Sequence, residues 1–312
     1  MTGVRSWPDL SHAQARLQTV LDMSQLKPSG ALRINSLYFN WLYTIFARSL
    51  SLCAAMSFSP LILIYALLLI ASLGLGMVNP IPQNPSYHDY GDQRIIFGIP
   101  YFWNVVSNLP MLFIGLYGLW QGIRNYTRRP AGVARWIPLI LSGGIFITCF
   151  GSAYYHWMPS NDTLLWDRLP MTLMFMSLLS LFIYDYLGAR AGTISFLLSL
   201  PVGIASVLYW HFTEAAGHGD LRPYALVQFF PMVAAPVLIL FHPGKVPYVR
   251  YILFLLGWYV AAKLCEHYDK AIFDSLGFWS GHTLKHLLGA VGLLYAMKIV
   301  DGWWPAEEGN NG

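Results

Sequence analysis

Apolar residues gather along the chain into runs of about 20, the length a helix needs to cross a bilayer, and short polar stretches separate them. The runs occupy 58–78, 101–122, 136–157, 163–184, 192–211, 223–241, 249–268 and 280–300, which predicts eight membrane-spanning helices. Prolines fall within several of them, at Pro110, Pro138, Pro170, Pro201, Pro231 and Pro236. Neighbouring helices in lipid tolerate such interruptions, whereas an isolated soluble helix does not. The expected fold class is therefore all-α, a polytopic transmembrane helix bundle. No large soluble domain, low-complexity tract or sequence repeat is evident. Residues 37–56 are aromatic and broken by Arg48, a pattern that predicts an interfacial helix rather than another span.

Composition agrees with this pattern. Of 312 residues, 56% are hydrophobic and 11% charged, against roughly 25% charged in soluble domains. The formal charge of +4 is distributed by topology, not gathered into a basic patch, so nucleic acid is not an expected partner. Thirteen Lys and Arg residues fall before the first span, in alternate loops and near the end of the last span: Arg5, Arg16, Lys27, Arg33, Arg48, Arg124, Arg128, Arg129, Arg135, Arg190, Lys245, Arg250 and Lys298. Only Arg94, Arg222 and Lys270 fall on the other side. Short cytoplasmic loops retain basic residues, so both termini are expected in the cytoplasm, with a bacterial inner membrane as the expected setting. Residues 1–35 are polar and the first long apolar run starts late, which predicts a retained anchor rather than a cleaved signal peptide. Cys53, Cys149 and Cys265 lack metal-type spacing or a disulfide framework.

Ionisable residues inside a span are costly and each marks a functional-site hypothesis. With the orientation above, Ser152 and His156 close the outward-running 136–157 helix. Asp167 and Arg168 open the next helix. Lys263, Glu266 and Asp269 lie at the end of the 249–268 helix, and His282, Lys285 and His286 open the last one. All of these groups share one extracytoplasmic depth. Residues four apart share a helix face, as do Ser152 with His156 and His282 with His286. Three imidazoles from two helices make a three-ligand zinc site with an open position, the pattern of catalytic zinc. Asp167 is then placed to accept a hydrogen bond from water, and Ser152 to steady an oxyanion.

Each residue also has a plainer reading. A lone membrane histidine ordinarily serves as a hydrogen-bonding group between helices, and Ser is a common small packing residue in such bundles. It is the coincidence of four ionisable groups at one depth that separates the metal reading from packing. Lys263 and Glu266, three apart, are expected to neutralise each other, and Lys285 to snorkel outward. Tyr154, Tyr155 and Trp157 read as an interfacial aromatic belt. His12, His88, His211, His218, His242 and His267 receive no metal assignment.

The segments FWNVVSNL (Phe102 to Leu109), GSAYYHWMPSNDTLLWDRLPMT (Gly151 to Thr172) and GHTLKHLLGA (Gly281 to Ala290) resemble the alkaline ceramidase family. That family belongs to a seven-helix membrane hydrolase superfamily, together with adiponectin-type receptors and lipid-remodelling proteins for GPI anchors. The shared pattern is Ser, then His four residues on, Asp eleven further on, and a late HxxxH, here Ser152, His156, Asp167, His282 and His286. The resemblance spans about 86–300. It implies a zinc-dependent amide hydrolase acting on ceramide, with His156, His282 and His286 as zinc ligands, Asp167 positioning or deprotonating water, and Ser152 supporting the site. Combined with the apolar runs, it gives an expected domain organisation: a polar and interfacial segment at 1–57 and an extra transmembrane helix at 58–78, both outside the resemblance, then a seven-helix catalytic core with its preceding extracytoplasmic loop at 79–300, and a tail at 301–312.

In the eukaryotic members of that family an acidic segment before the first core helix binds calcium. The matching stretch, HDYGDQR (His88 to Arg94), keeps Asp89 and Asp92, but Tyr101 stands where a later acidic ligand would be and Arg94 adds a positive charge. Calcium takes six to eight oxygens, so an ion pair between Asp92 and Arg94 is expected in preference to a calcium site. The substrate expected is ceramide or another N-acyl lipid. The chain's chemistry leaves two other function classes: a receptor or sensor with a structural zinc, and a membrane di-iron oxygenase or desaturase. The second needs many more histidines on the cytoplasmic side. Haem ligation by His282 and His286 fails because neighbours four apart cannot bind opposite faces of one haem.

Overall fold

The computed structural model describes residues 60–128, 132–242 and 244–302. The segment 1–57, including the expected interfacial helix at 37–56, its basic residues, His12 and Cys53, lies outside the described residues, as do Arg129 and the tail beyond residue 302.

Among the described residues the secondary structure is helical, with no strand and one isolated bridge between Ile96 and Ile99. The helices are α1 (Pro60–Gly76), α2 (Phe102–Val106), α3 (Leu109–Arg124), α4 (Ile137–Trp157), α5 (Asn161–Leu187), α6 (Ala189–Ala215), α7 (Arg222–Phe241), α8 (Val249–His267), α9 (Asp269–Leu276) and α10 (Gly281–Gly302). Each apolar run read from the sequence carries a helix in its described part, the 101–122 run in two pieces, α2 and α3. Among the described residues, six helical segments are long and apolar enough to cross a membrane: Phe102–Arg124, Val133–Trp157, Asn161–Leu187, Ala189–Ala215, Arg222–Phe241 and Gly281–Gly302. The other two are α1, with 17 residues, and α8, which carries Arg250, Lys263 and Glu266 within its 19. Large apolar side chains such as Phe113, Phe212 and Ile70 point outward, as lipid-facing positions of a polytopic bundle do.

Not every proline acts as an interruption. Pro170, Pro201, Pro231 and Pro236 lie inside helices, whereas Pro110 and Pro138 occupy first turns, where the missing N–H has no intrahelical partner to lose. The break in the first core span falls just before Pro110. There Asn108 Nδ2 donates to the carbonyls of Asn104 (2.8 Å) and Val105 (3.3 Å), and Ser107 Oγ donates to that of Asn104 (3.2 Å). These local bonds compete with helix continuation and separate α2 from α3.

Helix α5 is the centre of the bundle: 67% of its most apolar window is buried, against 28% for α6. It packs along α4 and α6 and also meets α7, while α10 packs along α8. The close approach of α4 and α5 depends on Gly151, because a Cβ there would run into the Trp166 carbonyl oxygen. This contact sets Ser152 beside Asp167. Helix α5 begins with a capping box, in which Ser160 Oγ accepts from the Thr163 N–H and Thr163 Oγ1 accepts from the Ser160 N–H. Helix α1 is fastened to α7 through Arg222, whose guanidinium is paired with Asp220 at 2.8 Å and donates to the carbonyls of Leu75 (3.2 Å) and Val78. The Leu75 carbonyl also accepts from the Val78 N–H at 3.2 Å, and Val78 lies just past the end of α1; the pairing with Arg222 holds the Asp220 carboxyl below the usual carboxylate range.

Candidate metal centre

The helix ends bring the chemistry-bearing residues together at one end of the bundle. His156 comes from the last turn of α4, Asp167 from the second turn of α5, Glu266 from the last turn of α8, and His282 and His286 from the first turns of α10. His156, His282 and His286 are buried, and their ligand atoms all lie within 4.8 Å of one another. The Nε2 atoms of His156 and His282 are 3.2 Å apart. Two nitrogens bound to one tetrahedral ion at about 2.0–2.1 Å stand roughly 3.3 Å apart, so these two are already spaced as co-ligands. No other group of three or more His, Cys, Asp or Glu side chains able to hold a metal occurs among the described residues.

The imidazoles are held in place by a surrounding polar network. Ser107 Oγ lies 2.8 Å from Nδ1 of His286, which leaves Nε2 for the cluster. Metal-binding histidines characteristically engage their second nitrogen in this way. The start of α10 is fixed by Ser280, whose Oγ accepts from the Thr283 N–H, and by Asn104, whose Oδ1 accepts from Thr283 Oγ1 at 2.8 Å. Asp269 accepts from the backbone N–H of His282 (2.6 Å) and of Gly91 (2.7 Å). It thus places a carboxylate at the α10 N-terminus, where the helix dipole favours one, and ties the 79–101 loop to that helix. His156 Nδ1 is buried with no hydrogen-bond partner. Replacing Ser107 by Ala is expected to weaken metal retention about 10- to 100-fold, the usual cost of losing such a supporting partner, measurable by competition with a chelator.

Tyr90 covers the histidines from the loop side, its ring centroid 4.5 Å from that of His282 and 5.0 Å from that of His156. Its hydroxyl donates to Tyr155 Oη (2.6 Å), which in turn faces His88 Nδ1 (2.9 Å), while His88 Nε2 faces Asn161 Oδ1 (2.9 Å). The chain is consistent only if Tyr155 donates to Nδ1 and Nε2–H donates to Asn161. Burial pushes the Tyr90 phenol well above the ordinary tyrosine range, so it stays a neutral donor. Tyr155 is therefore no part of an aromatic belt: it is 1% exposed, whereas Tyr154 and Trp157 are 46% and 45% exposed.

Ser152 and Asp167 are both buried. Both face, with His286, a cavity of about 330 Å³ whose remaining wall is mostly apolar, including Met174, Phe175, Leu255 and Leu293. Asp167 is not part of the three-histidine cluster. Arg168, next along α5, is buried among the rings of Trp210, Tyr224 and Tyr87 and donates to Gln83 Oε1 at 2.7 Å. Lys263 pairs with Glu266 as the three-residue spacing predicts, but Lys285 does not snorkel outward. It turns into the bundle, 3.2 Å from Glu266 Oε1, with its side chain 19% exposed.

The loop carboxylates do not fit calcium. Both oxygens of Asp92 are taken by Arg94, at 2.8 and 2.7 Å, and Arg94 also donates to the carbonyls of Gly277 and Phe278. Asp89 pairs with Lys270, a contact that lowers its carboxyl below the ordinary range. The two acids thus neutralise cations and fasten the loop.

Neither the residues missed from the sequence, His88, Tyr90 and Tyr155, nor the supporting Asn104 and Ser107 carry a spacing signal of their own, whereas the end of the 249–268 run places Asp269 at the right depth but without its role at the start of α10. Asn104 and Ser107 are polar groups in an apolar run, which is the one clue available. The chain matches no family model and no curated protein.

Proposed function

We propose that this protein is a zinc-dependent membrane amidohydrolase, similar to the alkaline ceramidases, that cleaves ceramide or a related N-acyl lipid to an amine and a fatty acid. The observation that carries this reading is the convergence of three buried imidazoles, without a carboxylate or thiolate among them, next to a cavity with apolar walls. An all-imidazole set suits zinc, and three protein ligands leave a position open for chemistry. When bound, zinc supplies Lewis acidity toward a carbonyl oxygen and makes water more acidic.

The chain's own residues supply the rest. The acyl chain lies along the apolar wall formed by α5, α8 and α10, which puts the amide at the polar end beside His286, Ser152 and Asp167. Asp167 accepts a proton from the water as its oxygen bonds to the carbonyl carbon, and then delivers that proton to the leaving nitrogen as the C–N bond breaks. Ser152, one turn before His156, orients the Asp167 carboxylate. Tyr90 closes the loop side and keeps bulk water from the imidazoles. With the basic residues in the cytoplasm, the site faces the periplasmic side of a bacterial inner membrane.

The test combines metal analysis of detergent-purified protein with a hydrolysis screen over lipid amides and esters. About one zinc per chain together with release of fatty acid from an amide is the expected result. One zinc per chain with no turnover of any amide or ester would leave a receptor or sensor of the same architecture.

A further inference from the structure

On the wall of the catalytic cavity, three cations, Arg168, Lys263 and Lys285, face two anions, Asp167 and Glu266. Two of those cations share one of the anions. Glu266 stands between two ammonium groups, with Oε1 toward Lys285 at 3.2 Å and Oε2 toward Lys263, and Oε1 also accepts from Tyr87 Oη at 3.4 Å. One lysine is enough to neutralise one carboxylate and to cross-link α8 to α10. The second leaves a net charge in a part-buried wall, which is costly in a membrane protein unless a partner supplies the opposite sign. Each ammonium has three donors, so both retain N–H groups after bonding Glu266. Arg168, on the same wall, is enclosed by three rings and donates through Nη2 to Gln83, while its Nη1 has no hydrogen-bond partner.

The position of the surplus matters as much as its sign. Lys285 precedes the cluster residue His286, and both face the cavity. Tyr87, Lys263 and Glu266 also line a polar cleft of about 640 Å³ on the loop side, which His282 borders too. They form a partition between a compartment with a mostly apolar wall and a polar one, with the three-histidine cluster beside it. A lipid whose chain fills the first compartment has its head group at this partition.

We propose that Lys263 and Lys285 form a carboxylate-binding subsite, and that the lipid amide this protein takes is an N-acyl amino acid rather than a neutral N-acyl amine. The choice of substrate class rests on the amidohydrolase reading, whereas the anion subsite does not. An amino-acid head group carries its carboxylate one carbon from the amide nitrogen, so an amide held beside His286 brings the charge to Lys285. A single surplus cation matches a monoanionic carboxylate better than a phosphate dianion. Glu266 is the positioning residue that keeps the two ammonium groups together.

The experiment measures binding of N-oleoylglycine and of its methyl ester to the full-length protein in detergent, with fatty-acid release followed in the same samples. The two ligands share the acyl chain and amide and differ only in head-group charge. The wild type is expected to hold the acid at least about tenfold more tightly than the ester. Lys263→Gln and Lys285→Gln, each of which leaves one lysine on Glu266, are expected to reduce that preference to about threefold or less, with ester affinity unchanged. Equal affinity for acid and ester in the wild type, or a preference that survives in both variants, overturns the subsite. A charge preference without fatty-acid release from any amide upholds the subsite and removes the hydrolase reading, while release from ceramide with no charge preference does the reverse.

Discussion

Replacing His282 with alanine is expected to abolish both metal retention and activity, with a loss of about 10³-fold or more in kcat/KM. Among the described residues His282 is one of three imidazoles in the cluster, its Nε2 is 3.2 Å from that of His156, and no other described His, Cys, Asp or Glu belongs to the group. Two ligands from different helices cannot hold an ion as three do. A metal's polarising effect is worth several kcal/mol at the transition state, and about 4 kcal/mol corresponds to roughly 10³ in rate. Tyr154→Ala is a suitable control, since Tyr154 is on the same helix as His156 but is exposed at the bundle surface. The measurements are metal content by mass spectrometry and fatty-acid release on the same preparations. A His282→Ala protein that keeps one metal per chain would exclude the three-histidine site.

Asp167→Asn separates proton transfer from metal binding. Asp167 is 6% exposed and faces the same cavity as His286 and Ser152, but lies outside the histidine cluster. Asparagine fills the same volume, so no void is created, yet its amide cannot accept a proton from water. A fall of about 10²- to 10⁴-fold in kcat is expected, the usual contribution of a positioned acid–base group, with metal content unchanged. Activity within about threefold of wild type would show that another group moves the proton. Together the two variants make a diagnostic pair: His282→Ala loses metal and activity, whereas Asp167→Asn loses activity alone.

The candidate site was legible where helical periodicity does the work. A helix repeats its face every three to four residues, so the His282–His286 and Ser152–His156 spacings each predict a shared face, and the ends of the apolar runs predict a common depth. The structure places these residues together. Periodicity is silent in loops, and the 79–101 segment is a loop. Nothing in its spacing says that Tyr90 reaches across two histidines, that His88 orients it through Tyr155, or that Asp92 turns back onto Arg94. Tyr155 shows the same limit within a helix: flanked by Tyr154 and Trp157 it reads as an interfacial aromatic, and only the packing of α4 against the loop shows which of the three faces inward.

By itself the sequence determined an all-α membrane bundle, the helices that compose it and the ends at which its ionisable residues lie, because apolar length and helical repeat are local properties that survive without knowledge of neighbours. Tertiary structure alone decided the partners. It turned Lys285 inward to Glu266 rather than outward, enclosed Arg168 in rings, committed Asp89 and Asp92 to cations, and set Asp269 at the start of α10. The physical reason is that a charged side chain in a membrane protein goes wherever its desolvation is compensated, and here the compensating groups are in most cases far away in sequence, up to 184 residues apart for Arg94 and the Phe278 carbonyl.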